Sequence, residues 1–149
     1  MSIVDYASVD EIVRALDLAP HPEGGFYRET FRDPLRRDGR AVSTAIYYLL
    51  PAGRISAWHR VDAAEIWHYY AGAPLMLRII EGAAQQMLKL GNSVTEGQRP
   101  QGIVPANSWQ SARSLGEWTL VGCTVAPGFE FSRFELAEEG RFAPEAGDC

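Results

Sequence analysis

The stretch Gly53-Arg-Ile-Ser-Ala-Trp-His59-Arg-Val61-Asp-Ala-Ala-Glu65-Ile-Trp67-His68-Tyr-Tyr-Ala-Gly72 decides the fold. Its large residues are aromatic or β-branched and run in short segments separated by Asp, Ala and Gly, which predicts strands near 54–60 and 64–71. Side chains alternate between the two faces of a strand, so Glu65 and Trp67 share one face and His68 falls on the other. His68, on the face opposite to Glu65 and Trp67, therefore belongs on an outer wall or at a subunit interface.

Upstream, Ser8-x-x-Glu11 reads as a capping box, with Val9, Ile12, Val13 and Leu16 at helical spacing behind it, so one short amphipathic helix is expected at about 8–18. Pro20, Pro22, Gly24 and Gly25 end that pattern. From Phe26 on, strands are expected near 26–32, 41–50, 74–81, 84–90, 99–104, 108–113, 117–126 and 129–136 in addition to the two above. Many short strands with tight turns indicate an all-β sandwich or barrel over about 26–136, followed by a tail at 137–149 whose last residues, Ala143 to Cys149, should fray.

Gly72-Ala73 lies between two strand-like runs and reads as a hairpin turn. The register that follows sets Glu65 opposite Ile80, Trp67 opposite Arg78 and His68 opposite Leu77, with Glu65, Trp67 and Arg78 on one face. Both faces of this hairpin are apolar or aromatic, which a one-sided sheet would not show. A second sheet or a second subunit must cover the outer face, and a symmetric homodimer is the expected arrangement.

The chain has 149 residues, a formal charge of −5 and 46% hydrophobic residues, enough for one domain with a substantial core. The acidic balance without a Lys/Arg run excludes phosphate-backbone binding as the first reading, so no nucleic acid is expected. No apolar run is long enough for a membrane span, and the opening MSIVDYASVDE lacks a basic region followed by an apolar one, so neither membrane insertion nor secretion is expected. Cys123 lies in an apolar strand and Cys149 ends the chain, which gives no disulfide framework and fits a reducing cytoplasm. Only three histidines are present, His21, His59 and His68, so a His-rich metal site would use nearly the whole supply.

The segment from Gly53 to Gly72 resembles the first signature of the cupins, G-x5-H-x-H-x3-E-x6-G, with every spacing kept and Val61 in place of the second histidine. Pro105-Ala-Asn107-Ser-Trp-Gln110-Ser-Ala-Arg-Ser114 echoes the second signature, P-x-G-x2-H-x3-N, with Asn107 for the glycine, Gln110 for the histidine and Ser114 for the asparagine. With His21-Pro-Glu-Gly-Gly-Phe-Tyr-Arg-Glu-Thr30 and Trp118 to Phe129, the chain looks like the small cupin branch catalogued as a domain of unknown function. The resemblance implies a double-stranded β-helix, the cupin jelly roll, similar to that of the dTDP-sugar epimerases. For a metal it implies His59 and Glu65 as retained ligands and Gln110 as a weaker third. Val61 offers no lone pair, and an amide carbonyl suits hard cations better than zinc or iron. A divalent ion at His59, Glu65 and Gln110 is therefore the alternative to a site that requires no cofactor.

Without metal, His59 and Glu65 read as a base and its orienting or acidic partner, with Arg78, Gln110, Trp67 and Tyr27 as candidate ligand contacts. Arg78 has two readings, a clamp for a ligand carboxylate or phosphate and a counter-charge for Glu65. Tyr27 or Arg28 lines the ligand mouth, or the segment is a turn feeding an edge strand. His21 reads as a loop residue, and Cys123 as a small buried hydrophobe. Three functions remain open: a small-molecule-binding cupin for a polar or anionic, sugar-like ligand; a sugar epimerase or isomerase with His59 as base, or a weakly metal-dependent enzyme; and a storage-like cupin with a vestigial site.

Overall fold

A computed structural model describes residues 7–142; the tail 143–149 lies outside the described residues. Helix α1 (Val9–Leu16) starts at Ser8, whose hydroxyl accepts from Glu11 N–H while the Glu11 carboxylate accepts from Ser8 N–H. The strands follow as β1 (Ala19–Pro20), β2 (Phe26–Arg32), β3 (Arg36–Arg37), β4 (Arg40–Ala41), β5 (Thr44–Pro51), β6 (Ile55–Val61) and β7 (Ala64–Gly72). After these come β8 (Leu75–Glu81), β9 (Ala84–Leu90), β10 (Gln101–Val104), β11 (Trp109–Ser114), β12 (Trp118–Ala126) and β13 (Phe134–Leu136). The strand expected over 129–136 is reduced to β13, because a 3-10 turn at Phe131–Arg133 replaces its first half.

The strands form two facing antiparallel sheets, ordered β1-β2-β5-β12-β7-β10 and β13-β6-β11-β8-β9, while β3 and β4 pair separately. Tyr48, Leu50 and Trp67 from the first sheet meet Leu75, Leu77 and Ile79 from the second in one core. The helix lies on the outside of the six-stranded sheet, where Ile12 and Leu18 pack on Leu49, Trp118 and Leu120. Among the described residues no helix is long and apolar enough to cross a membrane.

The expected hairpin at Gly72-Ala73 does not form. β7 pairs with β12 and β10, whereas β8 pairs with β11 and β9, so the chain crosses between sheets at this point. Gly72 adopts φ 90, and a Cβ there would lie 2.5 Å from the Trp118 carbonyl oxygen, which makes this a packed corner. Each run buries only one face against the opposite sheet in this two-layer fold, so Tyr70 of β7 stays exposed on the outer side. Arg78 is thereby moved. With Leu77 and Ile79 in the core, it faces outward from the five-stranded sheet, its guanidinium 5.0 Å from the centre of the Trp58 ring. It neither neutralises Glu65 across a hairpin nor reaches the barrel interior.

Candidate functional site

At one end of the barrel, side chains from both sheets and from the loop 21–25 enclose a cavity of about 30 Å³, room for a water or two. His59 enters from β6, Glu65 from β7, Tyr27 from β2, and Thr44 and Ile46 from β5. The remaining wall includes His21, Glu23, Cys123 and Phe129. Lys and Arg do not line it among the described residues.

His59 is 2% exposed, and its Nδ1 lies 2.7 Å from the Ala57 carbonyl oxygen. A carbonyl only accepts, so Nδ1 carries the proton and Nε2 is turned to the cavity with its lone pair. Glu23 Oε2 stands 3.0 Å from that Nε2. Burial pushes the Glu23 carboxyl up to about 8 and holds the His59 imidazole below its ordinary range, so at neutral pH the two form an uncharged pair in which the Glu23 O–H donates to Nε2. A β-bulge lets this happen. The register of β6 against β11 shifts between Gln110 opposite His59 and Ala112 opposite Ser56, so two residues an odd distance apart both turn inward. Ser56 then donates to Glu23 Oε1 at 3.0 Å.

The loop carrying Glu23 is held by backbone geometry. Gly24 adopts φ 113, and a Cβ there would meet the Ile55 carbonyl oxygen at 2.3 Å. The Tyr48 hydroxyl donates to the Gly24 carbonyl at 2.5 Å, and Ala57 N–H donates to the Glu23 carbonyl at 2.8 Å. His21 Nδ1 accepts from Glu23 N–H at 3.0 Å, which fixes its proton on Nε2. Burial pushes this imidazole down to about 4. His21 is thus a neutral wall of the cavity, in edge contact with Tyr27 at 4.4 Å between ring centres, where the sequence suggested only a loop residue.

Glu65 is held from the other side. Gln110 donates from Nε2 to Glu65 Oε1 at 2.8 Å and accepts at Oε1 from Trp67 Nε1–H at 2.8 Å. The indole only donates, so the Gln110 carbonyl must face Trp67 and its NH2 must face Glu65. Burial raises the Glu65 carboxyl, and the neighbouring Cys123 thiol is pushed well up by the same cause. Cys123 is therefore a poor nucleophile at neutral pH.

Of the expected residues, the cavity gathers His59, Glu65 and Tyr27. Gln110 and Trp67 stand behind Glu65 and orient it, and Arg78 lies on the outer face of the opposite sheet. Arg28 also faces outward, 5.6 Å above the Tyr47 ring. Glu23 and His21 are the functional candidates that strand parity could not supply. Their signal was a histidine and an acid just before Gly24-Gly25, a pair that allows close backbone approach. The metal set His59, Glu65 and Gln110 does not fit, because the Gln110 oxygen is turned away and engaged by Trp67. Among the described residues no group of three or more His, Cys, Asp or Glu is arranged to hold a metal ion.

A family model described as "Cupin superfamily (DUF985)" matches residues 10–137. The chain belongs to this cupin family. A protein from Shewanella oneidensis with a solved crystal structure is 35% identical with TM-score 0.85, covering 89% of this chain and 85% of that one. A hypothetical protein from Leishmania major is 28% identical with TM-score 0.82, covering 88% of each. An uncharacterized protein of Saccharomyces cerevisiae is 24% identical over 84% of this chain and 73% of its own length. Oxalate decarboxylase from Bacillus subtilis, at 14% identity and TM-score 0.61, shares the fold of this cupin over 29% of its own chain.

Proposed function

We propose that this cupin binds a small polar molecule in the barrel cavity and that the Glu23–His59 pair holds or moves a proton on it. The observation that carries this reading is the 3.0 Å contact between Glu23 Oε2 and His59 Nε2, both side chains buried and both facing the cavity. Burying two glutamates and two histidines around a cavity destabilises the fold, and apolar residues would pack there at lower cost. Such an arrangement is expected where chemistry or recognition requires it.

The ligand class follows from the wall. Two carboxyl groups and no lysine or arginine disfavour an anionic ligand, so the anionic alternative loses its support together with Arg78. An uncharged group of a sugar-like compound, a hydroxyl or carbonyl, satisfies the donors and acceptors present. The space of about 30 Å³ admits that group alone, with the rest of the ligand in the mouth beside Phe129. The catalytic form of this reading, an isomerase or epimerase, is supported by the locked Nδ1, which leaves Nε2 as a base directed at the ligand once Glu23 yields its place.

Thermal-shift titration with uncharged polyols and hydroxyketones, beside sugar acids of equal size, tests binding by mass action. Stabilisation by an uncharged compound, lost in His59→Ala and weakened in Glu23→Gln, is the expected result. Equal responses from wild type and both variants would overturn the site. Deuterium entering a ligand C–H next to its carbonyl in heavy water, in wild type and not in His59→Ala, would establish the catalytic form.

We further propose a homodimer through the outer face of the six-stranded sheet, with the protein in the cytoplasm, where Cys123 stays a free thiol. Phe31, Ala45, Thr124, Ile66 and Ile103 form one cross-strand row on that face, and Phe31 and Ile103 are exposed. Light scattering of wild type and Ile103→Glu checks this, a dimer converted to monomer being the supporting result.

A further inference from the structure

The barrel cavity has no cation, yet the cations of an acidic chain gather beside it. Arg32, Arg36, Arg37 and Arg40 fall within nine residues, and the last three sit on the β3–β4 hairpin. Its turn is Asp38-Gly39, with φ 53 and 76, the geometry that joins two antiparallel strands through two residues. The resulting register pairs Arg37 with Arg40 directly. Like charges directly opposite across a strand pair destabilise it, so the hairpin calls for anions.

The protein supplies an anion to one of the two. Arg40 makes a fork with Asp62, at 2.8 and 3.1 Å, and donates from Nε to the Gly128 carbonyl at 2.6 Å. Arg133 donates to the same Asp62 at 3.2 Å and lies 3.6 Å from Glu130. These arginines hold the Asp62 carboxyl below the usual carboxylate range. The Arg37 guanidinium has no hydrogen-bond or ion-pair partner among the described residues.

Arg37, Arg40 and Arg133 line one open cleft of about 500 Å³ between the hairpin and the end of β12, with Asp38, Ala126 and Pro127 completing its wall. That volume lies in the range that holds a small metabolite. Arg40 and Arg133 are fixed in place by Asp62 and keep N–H donors to spare, while Arg37 is placed to close on an occupant.

We propose that this cleft is a second binding site, for a small molecule carrying a doubly charged oxyanion, either a phosphate or a pair of carboxylates. Arg37 supplies the charge that no protein group neutralises, and Arg40 and Arg133 supply pre-oriented donors. The site is independent of the barrel cavity and stands whether or not that cavity binds a ligand.

Calorimetric titration with inorganic phosphate and, separately, with malonate tests it, using sodium chloride at matched ionic strength as the control. The expected result is saturable binding of at least one of the two, weakened about tenfold or more in Arg37→Gln and in Arg133→Gln. Arg37 is exposed and makes no contact the fold needs, so Arg37→Gln retains a folded protein and remains the decisive variant if Arg133→Gln does not. His59→Ala should bind as wild type does, which separates this site from the barrel. Phosphate alone would assign a phosphorylated compound, malonate alone a dicarboxylate, and both a site selective for charge. Absence of saturable binding, equal affinity in Arg37→Gln, or a response no larger than that to chloride would overturn the proposal.

Discussion

Glu23 and Glu65 reach the same cavity by opposite routes. Glu65 stands in the middle of a strand, aimed by parity and held by Gln110 and Trp67 from neighbouring positions in the two sheets. Glu23 hangs from a loop that the sheets do not hydrogen-bond into a ladder, and its place depends on Gly24, on a bulge at Ser56 and on one histidine nitrogen. The strand carboxylate is robust in position and the loop carboxylate is conditional. Damage to the loop should therefore remove one acid while the other stays in place.

The largest effect is expected from Gly24→Ala. Its φ of 113 and the Ile55 carbonyl oxygen lying where a Cβ would go leave no room for a methyl group, so the loop must move. A stability loss of about 3 kcal/mol is expected from backbone strain and the displaced contacts, measured by urea unfolding. Ligand response should vanish with it while the Trp67 environment, followed by near-ultraviolet circular dichroism, stays native-like. A shared collapse of both signals would show that loop and strand are one unit.

On the strand side, Gln110→Leu should cost about 2 to 3 kcal/mol. It leaves the Trp67 N–H and the Glu65 carboxyl buried without their partner, each loss being worth about 1 to 3 kcal/mol. Replacing Gln110 by His is the sharper variant, because it restores the side chain that metal-binding relatives carry. Metal analysis of Gln110→His beside wild type then asks whether Trp67 alone turned this position away from a metal.

Next in size is a change of slope with pH. Glu23 binds its proton up to about 8 in the folded protein against 4.5 in an ordinary carboxyl, so the folded form keeps a proton the unfolded chain has released. Stability must then fall as pH rises through that window. His21 acts in the opposite sense, being depressed from 6.5 to about 4, so its contribution increases with pH only below 6.5. Depression of His59 is likewise confined to pH below 6.5, which leaves the carboxyls alone to set the slope from 6.5 to 8. Wild type should lose about 2 kcal/mol across that interval, and Glu23→Gln should lose clearly less. Parallel slopes for the two proteins would mean that the pair is a charged one.

What the sequence made legible divides along the same line. The opposite parity of His68, whose Nε2 meets Thr124 Oγ1 at 3.0 Å on the outer face, could be read directly because strands repeat every two residues, while the inward placing of His59 and Glu65 followed from the resemblance to the first cupin signature. Ser56 escaped that reading, since a bulge breaks the period locally. Glu23 escaped it because a loop has no period at all. The dipeptide Gly-Ala shows a further limit: at 82–83 it closes a hairpin between Glu81 and Ala84, while at 72–73 it carries the chain from one sheet to the other. The difference is made by Trp118, far away in sequence, whose backbone and ring pack against Gly72 and not against Gly82.

Arg78 offers the smallest effect and the cleanest discrimination. Had Gly72-Ala73 closed a hairpin, Arg78 would lie diagonally across from Glu65 on the same face, and its removal would strand a buried carboxylate and shift the pH profile. In the fold as it stands, Arg78→Ala gives up the stacking of its guanidinium on Trp58, worth about 0.5 to 1 kcal/mol at a partly exposed site, and touches neither carboxylate. The melting temperature should fall slightly, the slope of stability between pH 6.5 and 8 should match that of wild type, and any uncharged ligand of the cavity should bind unchanged. A slope altered in Arg78→Ala would tie Glu65 to the wrong sheet, because no route other than the discarded hairpin register brings that guanidinium to the cavity.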